Sequence, residues 1–338
     1  MTKNPPQIDR VTVAAWVLTA VALVLVLLVH LLPALFAGLL VYELVHLAAP
    51  FLSARLSNHR AKIVVVALLT AAVVGIATAA TFAVTVFIQS DPDRPAALLA
   101  QFADMVLRAK ETLPAWVAEF LPADHDEVNT TLAGWVRAHA ADLELAGRDT
   151  GRAFIYAILG MIVGGMVALQ GALERRPLGP LGVALATRAA NLANAFRRVV
   201  FAQVRISLIN TGFTAIYLAV LLPAFGIDLP LRKTLIVITF VAGLLPVVGN
   251  LISNTFIVIA SLSISGEVAL LSLVYLIVIH KLEYFLNAKI IGSRIHSRAW
   301  ELLVAILAME AMFGVAGVIA APIFYCFVKD ELAARGLV

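Results

Sequence analysis

The chain is poor in charge and contains almost no cysteine. Only 14% of its 338 residues are charged and 62% are hydrophobic, whereas charged residues make up about a quarter of a soluble domain. This composition excludes a soluble enzyme and predicts an all-α polytopic membrane protein, because several segments must be apolar enough to span a bilayer. The single cysteine, Cys326, cannot form an intramolecular disulfide.

Several catalytic and binding motifs are also missing. The sequence has no GxxxxGK(S/T) phosphate loop, no HExxH zinc motif, no GxSxG elbow and no set of Cys and His ligands. We therefore expect no enzyme activity, no cofactor and no metal. The net charge of +4 reports loop topology in a protein of this class, so no nucleic-acid partner is predicted.

Residues 1–88 form the first predicted segment, with three spans at about 11–32, 34–52 and 63–88. The turn around Pro33 makes the first two spans a tight hairpin. The following loop carries Arg55, Arg60 and Lys62 without an acid. The positive-inside rule therefore places that loop and the amino terminus in the cytoplasm.

Residues 89–152 differ in composition, with eleven acidic and six basic residues and apolar positions that become periodic. We predict a small helical domain outside the cytoplasm. A fourth span follows at 153–173, and its Gly160, Gly164 and Gly165 favour close helix packing.

Residues 174–205 hold six arginines against one acid. Arginines alternate there with apolar residues at helical spacing, which indicates a cytoplasmic helix in the membrane interface, anchored by lipid phosphates. Membrane lipids are therefore an expected partner.

Residues 206–338 form the predicted C-terminal transmembrane domain. Its first span continues a polar helical face, which either packs against neighbouring helices or lines a solvated path. This face comprises Gln203, Ser207, Asn210, Thr211 and Thr214. Two long apolar stretches, 234–263 and 301–328, are interrupted by Gly and Pro and read either as re-entrant hairpins or as kinked spans. The favoured count is about six full transmembrane helices plus two broken hairpins.

Polar groups at these interruptions are the candidates for a transport path. Asn250 and Asn254 follow the break at Pro246 and Gly249, a type of break at which secondary transporters place substrate sites. Glu310 has no cationic neighbour in its apolar stretch, so it is the strongest candidate for a protonatable group.

Glu283 is a second acidic candidate. It shares a helical face with His280 and Asn287, but an ion pair with Lys281 or Lys289 near the interface explains it equally well. The predicted path comprises Asn210, Pro246, Gly249, Asn250, Asn254, Glu283, Asn287, Glu310, Gly314 and Gly317.

The stretches LLPVVGN, LEYFLNAKIIGSRI and FGVAGVIAAPIFYCFVKDEL resemble the autoinducer-2 exporter family of bacterial inner-membrane proteins. Family features are a Pro-x-x-Gly break, an acid shortly before a Lys/Arg-x-x-Gly turn, and a Gly-x-x-Gly segment before a proline. They are matched by Pro246 and Gly249, by Glu283, Lys289 and Gly292, and by Gly314, Gly317 and Pro322. Ala288 and Asn250 stand where the family often has proline.

The resemblance implies a multi-pass secondary transporter of the bacterial inner membrane that works as a homo-oligomer. Its solute would be a small polar molecule similar to autoinducer-2, moved with proton coupling. Some family members are assigned to sodium or lithium/proton antiport, which is the alternative function. A channel or a scaffold-like membrane assembly is the alternative from another class.

Overall fold

The computed structural model describes residues 9–53, 140–170, 178–245, 249–291 and 299–337, with scattered positions between 60 and 134. Every regular element in this part of the chain is helical, which confirms an all-α membrane protein. Four helical stretches among the described residues are long and apolar enough to cross a membrane, namely Arg10–Leu28, Gly151–Leu169, Pro180–Ala224 and Trp300–Ala333. Most of the predicted third span and of the acidic domain lies outside the described residues.

The longer helices are numbered in chain order. They are α1 (Arg10–Leu28), α2 (Leu32–Ser53), α3 (Ala140–Gln170), α4 (Pro180–Ile216), α5 (Arg232–Gly243), α6 (Gly249–Leu262), α7 (Gly266–Ile291) and α8 (Ala299–Ala333). The chain leaves α4 through a π-helical stretch, Tyr217–Leu221, and one more turn, Leu222–Ala224.

These helices belong to two compact units. The first unit contains Met1–Thr78, Ala146–Val200 and His296–Val338, and the second contains Ala79–Leu145 and Phe201–Ile295. The core of the first unit is built from α1, α2, α4 and α8 around Phe196 and Phe324. The core of the second unit is built around Leu218 and Ile257, which are fully buried.

Glycine allows α2 and α3 to touch through their backbones. A Cβ atom at Gly160 would lie 2.0 Å from the Ala34 carbonyl oxygen, and one at Gly164 would lie 2.1 Å from the Gly38 carbonyl oxygen. The close packing predicted for Gly160 and Gly164 is therefore present. The pairs occur in the same order along both helices, so α2 and α3 run parallel. In a membrane, parallel helices need an odd number of crossings between them, which the predicted third span supplies.

Two predicted boundaries lie inside continuous helices. The sequence predicts an outer domain that ends at residue 152, but α3 begins at Ala140 and runs into the fourth span. We also separated an interfacial helix at 174–205 from the next span, whereas α4 runs from Pro180 to Ile216 without a break. Arginine is a good helix former and no proline follows Pro180 within α4, so the change in polarity does not end the helix.

Both interrupted stretches fold back on themselves. Helices α5 and α6 pack against each other, and a Cβ at Gly249 would lie 2.0 Å from the Ala242 carbonyl oxygen. Helix α8 reverses at Gly314, where φ is 58°. A Cβ at Gly317 would lie 1.9 Å from the Met309 carbonyl oxygen. Eight residues of straight helix would separate these positions by about 12 Å, so the chain turns back between them.

Candidate functional site

The polar face of α4 binds the carboxyl end of α5. Gln203 donates a hydrogen bond from Nε2 to the Gly243 carbonyl at 2.7 Å, and Ser207 donates from Oγ to the Phe240 carbonyl at 2.7 Å. The last carbonyls of a helix have no hydrogen-bond partner within the helix. Gln203 and Ser207 supply the donors that these carbonyls lack where α5 ends. Gln203 and Ser207 therefore pack against a neighbouring helix, which is one of the two roles that the sequence leaves open for this polar face.

The turn of the first hairpin requires glycine at two positions. A Cβ at Gly243 would lie 2.7 Å from Ser207 Oγ, and a Cβ at Gly249 would lie 3.0 Å from the Gly243 Cα as well as close to the Ala242 carbonyl. Helices α4, α5 and α6 consequently meet with almost no space between their backbones. This close approach fixes where α6 begins.

Asn250 lies in the first turn of α6 and meets a buried amide of α4. Asn210 donates from Nδ2 to Asn250 Oδ1 at 2.8 Å, and Asn250 Nδ2 lies 3.5 Å from His280 Nδ1 on α7. Asn210 is buried, Asn250 is half-buried and His280 is exposed. We call Asn210, Asn250 and His280 the amide site. It joins three helices at the point where the hairpin is broken.

The amide site offers hydrogen bonds from uncharged groups. Each amide carries two donor hydrogens and an acceptor oxygen, and an imidazole nitrogen either donates or accepts according to its protonation. Such a set of groups suits hydroxyl groups or ordered water.

The remaining predicted residues of the second unit lie close in sequence to this site. Asn254 is half-buried, one turn after Asn250 on α6. Helix α7 extends to Ile291, so the spacing of Glu283 and Asn287 places them on the helical face of His280. The side chains of Glu283 and Asn287 and all of Pro246 lie outside the described residues.

Glu310, Gly314 and Gly317 belong to the first unit. Glu310 lies one turn before the reversal at Gly314, as predicted for the break of this stretch. Its side chain is exposed, and none of the described residues forms a hydrogen bond or ion pair with it. The predicted path residues thus divide between the two units.

Sequence reasoning missed a buried hydroxyl chain in the second unit. The Tyr217 hydroxyl lies 2.8 Å from Ser272 Oγ, and Ser272 Oγ lies 2.7 Å from Ser261 Oγ. The Tyr275 ring stacks on Tyr217 with centroids 4.1 Å apart, and its hydroxyl donates to the Phe213 carbonyl at 3.0 Å. Tyr217 begins the π-helical stretch, and such stretches often mark functional sites. Isolated Ser and Tyr residues within apolar spans were the sequence feature that could have indicated this chain of hydroxyl groups.

Sequence reasoning also missed a charged cluster in the first unit. Glu331 accepts hydrogen bonds from Trp16 Nε1 at 2.9 Å and from Asn191, and it lies 3.9 Å from the Arg188 guanidinium. Arg198 pairs with Asp330. We interpreted these arginines as anchors for lipid phosphates, but Arg188 and Arg198 bind carboxylates of the same chain. Their partners are more than 130 residues away in sequence, so local pattern could not reveal them.

A second carboxylate holds the two arms of α8 together. Glu301 accepts hydrogen bonds from the Tyr325 hydroxyl and from Lys329 Nζ. Within the described residues, no group of His, Cys, Asp and Glu side chains could hold a metal ion.

Comparison with known proteins agrees with the sequence resemblance. The family model described as AI-2E family transporter matches residues 182–334, a range that contains most of α4, all of α5 to α8 and the amide site. No curated protein matches the chain. Over residues 182–334, a little less than half of its length, the chain is therefore similar to AI-2E family transporters.

Proposed function

We propose that the protein is a secondary transporter of the bacterial inner membrane, without enzyme activity, that moves a small polar solute past the amide site. The observation that carries this proposal is the hydrogen bond between Asn210 and Asn250 at the first turn of a broken helix. Secondary transporters place their substrate sites at discontinuous helices, and these two amides lie at the end of one.

The lengths of the hairpin arms favour a site at membrane depth. The 12 residues of α5 and the 14 residues of α6 correspond to about 18 and 21 Å of helix, whereas the hydrocarbon core is about 30 Å thick. Neither arm crosses alone, so the turn between them lies within the core. Broken backbone at that depth must be buried in protein or border water.

The chemistry of the site favours an uncharged solute that is rich in hydroxyl groups, such as an autoinducer-2-like molecule. Proton coupling would act through His280 or through Glu310. Sodium or lithium/proton antiport is the second candidate, and the exposed carboxylate of Glu310 beside a hairpin turn is the observation that favours it. We expect the working form to be a homo-oligomer.

A flux assay in proteoliposomes tests the proposal. Purified protein is reconstituted, and uptake of autoinducer-2-like polyols, sodium and lithium is measured with and without a proton gradient. Saturable, gradient-dependent flux of a polyol is the expected result. Ohmic conductance in planar bilayers would instead indicate a channel.

Two variants of α6 connect the flux with the site. Asn250→Ala removes the partner of Asn210, and we expect it to reduce polyol flux at least tenfold, the factor that corresponds to about 1.4 kcal/mol. Thr255→Ala is the control, because Thr255 is exposed on the same helix and, among the described residues, its hydroxyl bonds only to the Leu251 carbonyl. Equal flux in Asn250→Ala and in the wild type would remove the amide site from the transport path.

A further inference from the structure

Besides Glu331, the first unit contains a buried carboxylate near the middle of a spanning helix. Glu43 is 11 positions after Leu32 and 10 positions before Ser53, the two ends of α2. The 22 residues of α2 correspond to about 33 Å of helix, and the hydrocarbon core is about 30 Å thick. Glu43 therefore lies close to the bilayer centre. Acidic side chains at that depth are rare, face protein or water, and usually mark functional groups.

The Glu43 carboxylate has little support from the protein around it. Its side chain is 5% exposed, and its Oε2 lies 3.7 Å from Arg197 Nη1 on α4. This distance allows an ion pair but is too long for a hydrogen bond. Among the described residues, no donor forms a hydrogen bond with this carboxylate. The attraction to one guanidinium is thus its main compensation for burial.

The Glu331 cluster shows the contrast between two buried acids of the same unit. Glu331 accepts two hydrogen bonds, and its ion-pair partner Arg188 is only 4% exposed. The partner of Glu43, in contrast, is 50% exposed. Both members of the Glu331 pair are fixed in the interior, whereas Arg197 can be hydrated without moving far. The Glu43 pair is therefore the one of the two that can separate at low cost.

Arg197 connects the pair with water. Its Nη2 donates a hydrogen bond to Asn194 Oδ1 at 3.0 Å on the same helix, and its Nη1 is the nitrogen nearest to Glu43. A charged group at membrane depth faces protein or water and avoids hydrocarbon. The exposed half of this guanidinium therefore borders water, and protons can reach the carboxylate from that side.

Few other titratable groups lie near Glu43. On α2 itself, the Tyr42 and His46 rings have centroids 4.2 Å apart, and His46 Nδ1 lies 2.8 Å from the Tyr42 carbonyl oxygen. Helix α3 has no titratable side chain at positions 157–170, and α1 and α8 meet α2 in an apolar core. Arg60, in the segment after α2, is exposed. Among the described residues, the guanidinium on α4 is thus the counter-charge within ion-pair distance.

We propose that Glu43 is a proton-binding site of the first unit and that its protonation breaks the ion pair with Arg197. A proton from water binds one carboxylate oxygen, so the pair changes from neutral to singly positive. Burial favours the neutral form of a carboxyl group, whereas a nearby cation favours the charged form. Proton binding therefore replaces the guanidinium as the group that compensates the buried acid. The site goes beyond the proposed function, because proton binding at Glu43 requires no solute at the amide site.

Infrared spectroscopy of the full chain in phosphatidylcholine vesicles tests the proposal. The measured signal is the carbonyl stretch of a protonated carboxyl group as a function of pH. We expect a band in the wild type that disappears on deprotonation near neutral pH, where carboxyl groups in water are already ionised. Glu43→Gln should lack this band. Glu267→Gln is the control and should keep it, because Glu267 is exposed in the first turn of α7.

Replacement of the guanidinium tests the role of the ion pair. Arg197→Gln should move the midpoint of the band to higher pH, because no cation then favours the charged form of Glu43. Arg232→Gln is the matched control and should leave the midpoint unchanged, because Arg232 pairs with the exposed Asp228 in the second unit.

Thermal unfolding in detergent verifies that the variants fold. If Glu43→Gln does not fold, Glu43→Asp replaces it and should change the midpoint of the band, since the shorter side chain lies farther from Arg197. A wild type without such a band would overturn the proposal, as would a band that is unchanged in the Glu43 variant. An unchanged midpoint in Arg197→Gln would overturn the link between protonation and the ion pair.

Discussion

Single glycines determine where the chain can reverse. Gly314 takes a positive φ of 58°, and Gly317 then passes the Met309 carbonyl so closely that a Cβ atom has no space. Gly212, near the carboxyl end of α4, has nothing within 4 Å of its ideal Cβ position. Glycines in this chain therefore have different effects. Some allow close backbone contact, whereas others only lower the stability of a helix.

Alanine substitution separates these two kinds of glycine. Gly317→Ala should destabilise the protein by about 1–3 kcal/mol through overpacking. Gly212→Ala should be neutral or stabilise it by up to about 1 kcal/mol, because it improves helix propensity. Unfolding of both variants in the same detergent gives the comparison. A Gly317→Ala protein as stable as Gly212→Ala would contradict the tight reversal at Gly314.

Glu310 allows a separate test of proton coupling. Among the described residues its carboxylate has no partner, and the side chain is exposed, so Glu310→Gln should change stability by no more than about 0.5 kcal/mol. If the carboxylate takes up the coupled proton, flux in proteoliposomes should continue in this variant but lose its dependence on pH. An unchanged pH profile would leave Glu310 without a role in coupling and make Glu283 the better candidate.

At the scale of helices, buried charge connects segments that are distant in sequence. The side chains of Arg188 and Glu331 are 4% and 10% exposed. A buried ion pair adds little net stability, but removal of one partner leaves an uncompensated charge. The cluster around Glu331 therefore constrains how α1, α4 and α8 pack more than it stabilises the fold.

Replacement of the Glu331 carboxylate tests how strongly this cluster constrains helix packing, with the free energy of unfolding as the measured quantity. Glu331→Gln keeps the size of the side chain but leaves the Arg188 guanidinium without a counter-charge, so we expect a loss of about 3–5 kcal/mol. Glu267→Gln is the control, because Glu267 is exposed in the first turn of α7. Equal unfolding midpoints for the two variants would show that Arg188 finds another partner.

The sequence predicts breaks in the chain better than it predicts contacts. Gly249 and Gly314 marked both reversals, because proline and glycine act locally on the backbone. The continuity of α4 was missed, since a change from basic to apolar residues alters the surroundings of a helix without ending it. Of the amide site, Asn210 and Asn250 were candidates on separate helices, but only the fold brings them to 2.8 Å.

At the scale of the whole molecule, the first and last described helices, α1 and α8, pack together in the first unit. Arg335 donates to Thr12 Oγ1 at 3.4 Å, and Trp16 bonds to Glu331. Helix α1 and the second arm of α8 therefore run antiparallel, and the start of α1 lies at the same end of this unit as the end of α8. The positive-inside rule predicts that this end is cytoplasmic.

Labelling in spheroplasts tests this topology. Single cysteines at Asp9, Ser293 and Leu337, in a Cys326→Ala background, should resist an impermeant maleimide until the membrane is opened. A cysteine at Asp124, in the acidic segment, should react in intact spheroplasts. Reaction of the Asp9 and Leu337 cysteines from opposite sides would contradict the packing of α1 against α8, and reaction at Ser293 would contradict the re-entrant reading of the last hairpin.

The bond between Trp16 and Glu331 also sets an order of events during biosynthesis. Its two residues are separated by 315 positions in the chain. At a translation rate of about 5–20 residues per second, the ribosome needs roughly 16 to 63 seconds to add the partner of Trp16. The first helix is therefore made long before its neighbour exists, and the first unit closes only after Glu331 has been added to the nascent chain.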